Sequence, residues 1–446
     1  MKFPPSPPAW LPLLEAAIRK GAGSHFFNPG EEELRLDRYL HWDEFRHRYH
    51  PKGDLSVEEQ WAALRMRRAS RSQPISLKDS KGRNFTFFLT QRAFEELHEI
   101  DLHCRGGMAT PQEGIIDREN RDRYYINSLL EEALTSSQLE GAVVTRSEAR
   151  EMIREGRPPS SKHEKMVMNN FKTMAMLSKL RDRDLSAELI LEIHREITAG
   201  TLDDPQDEGR LRTPTDQVRV EDEESGEVFH VPPPAEELPE RLKRLCEFSN
   251  EKGMAGFLHP LIRSILLHFW VAYDHPFVDG NGRTARALFY WSMLRHGYWL
   301  AEFFSISHEI LKAPKQYYRA FLYTETDGND LNYFIHHQLK TIRGAIEALR
   351  EYIRRKQEEV ARLKRHLRPG SGFNHRQLAL LKHALMHPQA AYTVASHQTS
   401  HGISTQTATT DLNFLVAEGL LTKAKAGKAF LFRPSADLSQ RLGFQP

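Results

Sequence analysis

The sequence predicts a mainly α protein: a helical core interrupted by one β-hairpin, preceded by an N-terminal accessory region and followed by a C-terminal winged helix-turn-helix. Three observations carry that prediction. From residue 121 to 345 apolar residues recur at helical spacing, with one conspicuous break between 205 and 234. After Pro369-Gly-Ser-Gly372 a new unit begins, in which three helical patterns are followed by two short β-type runs. A composition of 27% charged and 39% hydrophobic residues belongs to a folded chain rather than a disordered one.

The elements follow in order. Residues 1–120 read as an accessory region. Trp10, Leu11, Leu13, Leu14 and Ile18 mark one side of a first helix, and Tyr39, Leu40, Trp42 and Phe45 anchor a second. Residues 75–79 and 85–89 read as a hairpin turning at Gly82. No function is legible here, and the aromatics read as core. Leu189, Ile190, Ile193 and Ile197 predict a helix over 185–197, capped by Asp184 or Ser186 and stopped at Gly200. In the break, Val218-Arg-Val220 and Glu227-Val-Phe-His-Val231 flank the acidic Asp222–Gly226 segment, which predicts a hairpin with a solvated tip. Phe334 to about Leu367 predicts one long amphipathic helix, with Ile342, Ile346, Leu349 and Ile353 on a stripe. Its part from 346 to 369 is the connecting helix. Beyond it, helices near 378–385, 394–400 and 404–418 precede strands near 420–422 and 430–432, the order of a winged helix-turn-helix over 370–446.

Bulk properties remove several classes. The 446 residues carry 62 Lys and Arg against 60 Asp and Glu, a net of +2, which excludes a globally basic nucleic-acid coat and an acidic tail protein. Cys104 and Cys246 are the only cysteines, so neither a disulfide framework nor a CxxC metal site can be built, and a reducing compartment is expected. No apolar run approaches the roughly 20 residues that span a bilayer. The start of the chain lacks the apolar core of a signal peptide. The expectation is a cytoplasmic protein without membrane association.

Chemistry concentrates in His275-Pro-Phe-Val-Asp-Gly-Asn-Gly-Arg-Thr-Ala-Arg286. Gly280 and Gly282 flank Asn281, so the backbone can turn tightly and expose its N–H groups. A helix-forming run begins at Arg283. The turn therefore opens a helix N-terminus, where amides and macrodipole bind phosphate together. Arg283 and Arg286, three apart, share a face one turn up and can grip further phosphates. Asp279 is placed to hold Mg²⁺ on phosphate oxygens. His275, at the end of the preceding apolar helix, suits a general base. A glycine turn or a lone histidine is usually structural, but base, carboxylate, turn and two arginines within twelve residues are not.

This segment resembles the signature of the Fic family, HxFx(D/E)GNGRxxR, at every specified position. The similarity extends over roughly 125–340, and the Fic domain is expected over 121–345. Upstream, His259-Pro260 and Leu267-His268-Phe269 resemble the helix that delivers the histidine. Gly209-Arg210-Leu-Arg212, Val218-Arg-Val220 and Pro232–Pro234 look like the family's flap, and Tyr317-Tyr318 looks like its nucleotide-facing pair. The resemblance implies transfer of AMP from ATP to a Ser, Thr or Tyr hydroxyl of a target protein, with release of pyrophosphate. His275 would deprotonate the hydroxyl, and Asp279 would hold Mg²⁺ or Mn²⁺. Gly280, Asn281 and Gly282 would line the anion nest, and Arg283 and Arg286 would bind the β- and γ-phosphates. Thr284 and Ala285 would contribute backbone at the helix start, with Phe277 packed inward. Val218, Arg219, Val220 and Glu221 would pair with the target as an added strand. Tyr317 and Tyr318 would flank the nucleotide. Glu325 stands where some relatives place an asparagine at the adenine, a departure that leaves base contacts open.

Ser136-Ser-Gln-Leu-Glu140-Gly141 resembles the family's inhibitory motif (S/T)xxxE(G/N), on a helix expected at about 127–141. Ser136 and Glu140 are four apart and share a face, and Gly141 ends the helix. A carboxylate aimed at Arg286 would occupy the arginine that the γ-phosphate needs. Two alternatives accompany AMP transfer: AMP removal by the same site, and a nucleotide-sensing DNA-binding regulator. The intact His275 argues against the second, since a sensor needs no base. A phosphotransferase is weaker still, because the GNGR segment is unaltered.

In the C-terminal unit, Thr405, Gln406, Thr407, Thr409 and Thr410 could meet bases or phosphates. From 370 onward the chain has seven basic and three acidic residues, with Lys423, Lys425 and Lys428 on the wing. DNA contact through phosphates and protein contact or homodimerisation are both open. The target, for which the protein itself is one candidate, is not identified by the sequence.

Overall fold

Two helices with almost no exposed face form the centre. Of the fifteen residues of Pro260–Asp274 thirteen are buried, and the same holds for Asn281–Arg295. A helix apolar all round must be enclosed by others. These two pack on each other, and helices Arg121–Gln138, Lys162–Leu180 and Ala187–Thr198 pack around Asn281–Arg295. The computed structural model describes residues 2–21, 39–50, 55–105, 121–155, 157–221, 226–252, 256–366, 372–426 and 429–442. They are mainly helical, with three two-stranded antiparallel sheets.

The chain divides into two compact units, residues 1–349 and 350–446. The division falls inside helix Asn332–His366 rather than at residue 120. Residues 39–50 and 55–105 are bound to the core by a buried polar network. Arg65 pairs with Asp327 at 3.0 Å and Asp330 at 2.9 Å, the Tyr39 hydroxyl donates to Asp330, and Arg68 donates to the Tyr333 hydroxyl. The hairpin Gln73–Lys78 with Asn84–Phe87 continues this attachment, because Thr86 exchanges backbone bonds with Asn329 and Leu331. Arg65 has its carboxylate partners within the network and Arg68 is bonded to the Tyr333 hydroxyl and the Leu40 carbonyl, so neither buried guanidinium is left uncompensated.

The predicted hairpin in the break is shorter than the sequence pattern. Its strands are Val220–Glu221 and Val228–His230, with Val220 opposite His230. Residues 222–225 of its tip lie outside the described residues. Helix Ala187–Thr198 starts at Ser186, whose hydroxyl accepts from the Leu189 amide, so Ser186 rather than Asp184 is the cap.

In the second unit, helices His375–Met386, Val394–His401 and Thr405–Ala417 precede strands Leu421–Ala426 and Ala429–Pro434. Leu378, Leu381, Leu412, Leu415, Leu421 and Phe432 form its core. Asp411 ties the helices together by accepting from Asn374 and Arg376. Lys428, which the sequence reading puts on the wing, lies outside the described residues.

Candidate active site

Helix Pro260–Asp274 ends on His275, whose backbone is left-handed at φ +46°, ψ 58°. For a residue other than glycine that conformation costs roughly 1–3 kcal/mol and is kept only where neighbours over-determine it. The ring Nδ1 lies 3.3 Å from the Ala272 carbonyl. A carbonyl only accepts, so Nδ1 carries the proton and Nε2 keeps the lone pair. Burial pushes His275 down to about 4, with the nearby His230 working in the same direction. At neutral pH the ring is an unprotonated base.

The loop that follows is fixed from inside. Asn281 accepts from the Phe277 amide at 2.9 Å and donates to its carbonyl at 2.8 Å. Phe277 is fully buried and stacks on His194, ring centroids 3.7 Å apart. His194 takes the Gly209 amide on Nδ1 at 3.0 Å, which leaves its Nε2–H to donate to the Asp279 carbonyl at 2.9 Å. Burial pushes His194 down to about 4, so it holds the loop as a neutral ring. Gly280, at φ +81°, caps helix Asn281–Arg295, and a Cβ there would lie 2.7 Å from Thr198 Cγ2. Only glycine fits.

The two arginines differ. Arg283 is 1% exposed, with its Nε unpartnered, a weak bond to the Ile197 carbonyl at 3.4 Å, and Asp279 Oδ2 at 3.8 Å. Burial pulls its pKa down. Arg286 is fully engaged. Its Nε donates to the Ser136 hydroxyl at 2.8 Å, and one terminal nitrogen donates to the Ser136 carbonyl at 2.9 Å and to Glu140 Oε1 at 2.8 Å. Burial works against the Arg286 charge, but the Glu140 carboxylate more than offsets it and its pKa rises. A Cβ on Gly282 would stand 2.1 Å from that same Glu140 oxygen. Glu140 thus fills the space directly over the helix N-terminus.

One cavity connects these groups. Glu140, His275, Gly282 and Arg286 line it together with Tyr317, Tyr318, Val220 and Glu325. Tyr317 is buried and bonded to His268 at 2.9 Å, whereas Tyr318 is 40% exposed. Glu325 accepts from His230 Nδ1 at 2.9 Å, while His230 Nε2 meets the Tyr273 carbonyl at 2.7 Å. Acceptors at both nitrogens favour the imidazolium form of the ring. Against burial, which disfavours the charge, Glu325 raises its pKa.

The sequence-predicted residues fall into three groups. His275, Gly282, Arg286, Glu140, Tyr317, Tyr318 and Val220 share the cavity wall. Gly280, Asn281, Thr284 and Ala285 build the turn and the helix start, with the Thr284 hydroxyl donating to the Gly280 carbonyl. Val218, Arg219 and Glu221 are not on the wall, and Arg219 and Glu221 pair with each other at 2.8 Å. Glu140 stands in the turn after helix Arg121–Gln138 rather than on its last helical turn, and Gly141 at φ +82° closes that turn. Its contact with Arg286 needs no continuous helix. Asp279 has its side chain 55% exposed, one oxygen taking the Gly280 amide. That suits a cation held mostly by phosphate and water, such as Mg²⁺, which needs one or two protein carboxylates. Among the described residues no cluster of three ligating side chains exists. His194 and His230 were not singled out in the sequence. Their roles come from partners 15 to 95 residues away, and no local signal marks them.

Residues 184–293 match the model of the Fic/DOC family. The "Protein adenylyltransferase fic-1" of Caenorhabditis elegans is 36% identical over 128 residues, 29% of this chain and 23% of that protein. The "Protein adenylyltransferase Fic" of Nematostella vectensis is 34% identical over 118 residues, 26% of this chain and 25% of that protein. The chain thus spans about a quarter of the length of these curated relatives. The solved structure of Fic-1 (residues 134–508) from C. elegans aligns with a TM-score of 0.50 at 19% identity, covering 78% of this chain and 88% of that one. That likeness establishes a common fold.

Proposed function

We propose that this chain, which carries a Fic/DOC-family domain, transfers AMP from ATP to a hydroxyl side chain of a protein and is restrained by its own Glu140. The observation that carries the reading is the convergence of an unprotonated His275, the helix N-terminus at Gly282 and the buried Arg286 on one cavity, with the buried Arg283 on the same helix. His275 Nε2 takes the proton of the incoming hydroxyl. The oxygen attacks the α-phosphorus, the bond to the β-phosphate breaks, and pyrophosphate leaves. Arg283 has spare donors for an anion, which a buried guanidinium otherwise lacks. The amides at the start of Asn281–Arg295 supply further donors. Asp279 would hold a divalent cation that neutralises phosphate charge when bound. Glu140 blocks this arrangement by occupying Arg286 and the space over Gly282.

The test is intact-protein mass spectrometry of the full chain and its Glu140→Gly variant after incubation with ATP, Mg²⁺ and lysate proteins. A gain of one AMP moiety on the chain or on a lysate protein supports the reading. Unmodified protein in every arm refutes it.

For residues 350–446 the finer reading is DNA contact through exposed Lys423, Lys425 and Arg433 on one hairpin. Lys423 and Lys425 share one face of the paired strands, a basic pair suited to phosphates, and Arg433, opposite Thr422, adds a positive charge on the other face.

A further inference from the structure

The end of helix Pro260–Asp274 is gripped by one side chain from outside it. Arg212 Nε donates to the His275 carbonyl at 2.8 Å, and one terminal nitrogen donates to the carbonyls of Pro233 and Asp274, the latter at 3.3 Å. The Arg212 amide donates to the Pro276 carbonyl at 2.9 Å. The side chain is buried and, among the described residues, forms no ion pair. A buried cation satisfied only by carbonyls is costly anywhere but at a helix C-terminus. There the last carbonyls lack helical partners and the dipole is negative. The same segment holds the far side of the loop, because Gly209 donates to His194 and His194 donates to the Asp279 carbonyl. Residues 209–212 thus brace both sides of the His275–Asp279 loop.

We propose that Arg212 is a positioning residue for His275, holding its left-handed backbone so that Nδ1–H meets the Ala272 carbonyl and Nε2 stays the ring's acceptor. The proposal rests on the reading of His275 as the base. A left-handed histidine has ordinary conformations to relax into. Three fixed carbonyls in succession, at residues 274, 275 and 276, deny them. Without the clamp the ring moves and exchanges tautomers, while the phosphate contacts on Asn281–Arg295 remain.

The test uses Arg212→Lys and Arg212→Ala in the full-length Glu140→Gly protein. Three quantities are measured: kcat and KM for AMP transfer, ATP affinity by calorimetry, and the His275 ring nitrogens by long-range ¹⁵N–¹H correlation. Expected is a fall in kcat of about 10²-fold, as for a misplacement near 1 Å. The KM and the ATP affinity should stay within about twofold. The ring signals should change from a single Nδ1–H tautomer to an exchanging mixture. Added guanidinium ion at sub-denaturing concentration should restore part of the Arg212→Ala rate. An unchanged kcat with an unchanged ring spectrum overturns the proposal. So does a loss of ATP affinity parallel to the loss of rate, which would mark a collapsed fold. If the parent Glu140→Gly protein transfers no AMP, the proposed function fails on its own, and the ring spectrum of Arg212→Lys still decides the positioning role.

Discussion

Replacing Glu140 by glycine should raise AMP transfer, and the structure gives the size of the effect. The Glu140 carboxylate accepts one charge-assisted bond from Arg286 at 2.8 Å. Bonds to charged groups contribute about 1.5–3 kcal/mol. At about 1.4 kcal/mol per factor of ten, the triphosphate must overcome a bias of roughly 10- to 150-fold before Arg286 can turn to it. Removing Glu140 does not strand the arginine, because Ser136 still accepts from it through hydroxyl and carbonyl. The space over Gly282 opens at the same time, since the oxygen that crowds it is gone. Initial rates of label incorporation from α-labelled ATP should therefore rise by that factor, most visibly as self-modification. Glu140→Gln, which keeps the bulk and loses the charge, should fall between. Arg286→Ala should give no gain, because it removes the phosphate ligand together with the restraint. Equal rates for wild type and Glu140→Gly at ATP well below saturation, or a gain in Arg286→Ala, would refute the inhibitory assignment.

Three further outcomes are expected. His275 is held near 4, below its ordinary 6.5, so acid removes the base and alkali does not; the transfer rate of Glu140→Gly should stay level from neutral pH down to about one unit above that value and then fall. Gly280→Ala forces a Cβ into φ +81° and to 2.7 Å from Thr198 Cγ2, so thermal denaturation should show a loss of about 1–3 kcal/mol, and an unchanged melting temperature would contradict the turn geometry. Fluorescence anisotropy with a labelled duplex should show binding that weakens steeply with salt and is reduced in Lys423→Ala/Lys425→Ala; no binding at low salt would favour a protein-docking role.

What could be read in the sequence was what the backbone itself demands. The turn at Gly280 and a helix opening from it follow from residue types within a few positions; the helix begins at Asn281, two residues before the expected Arg283, and Phe277, which the resemblance placed inward, is buried. Helices with a one-sided apolar stripe were legible for the same reason, including Ala187–Thr198 and Asn332–His366. Groups whose meaning depends on distant partners were not legible. His194 acts through a stack on Phe277 and a bond to the Asp279 carbonyl, and nothing near residue 194 announces either. His230 and Glu325 form their pair across 95 residues, so the carboxylate standing where some relatives place an adenine-facing asparagine is paired within the protein. The aromatic cluster of residues 39–45 reads as core from composition alone. Its ties from Tyr39 to Asp330 and from His41 to Tyr323 are tertiary.

The central claim is that His275 drives transfer of the α-phosphate group. The measurement that reaches it directly compares α- and γ-labelled ATP with Glu140→Gly and with Glu140→Gly/His275→Ala, ATP affinity being followed in parallel. The account predicts protein-bound label from the α position alone, a fall of about 10²-fold or more when His275 is lost, and ATP affinity retained. Label arriving from the γ position, or undiminished transfer without His275, would contradict it.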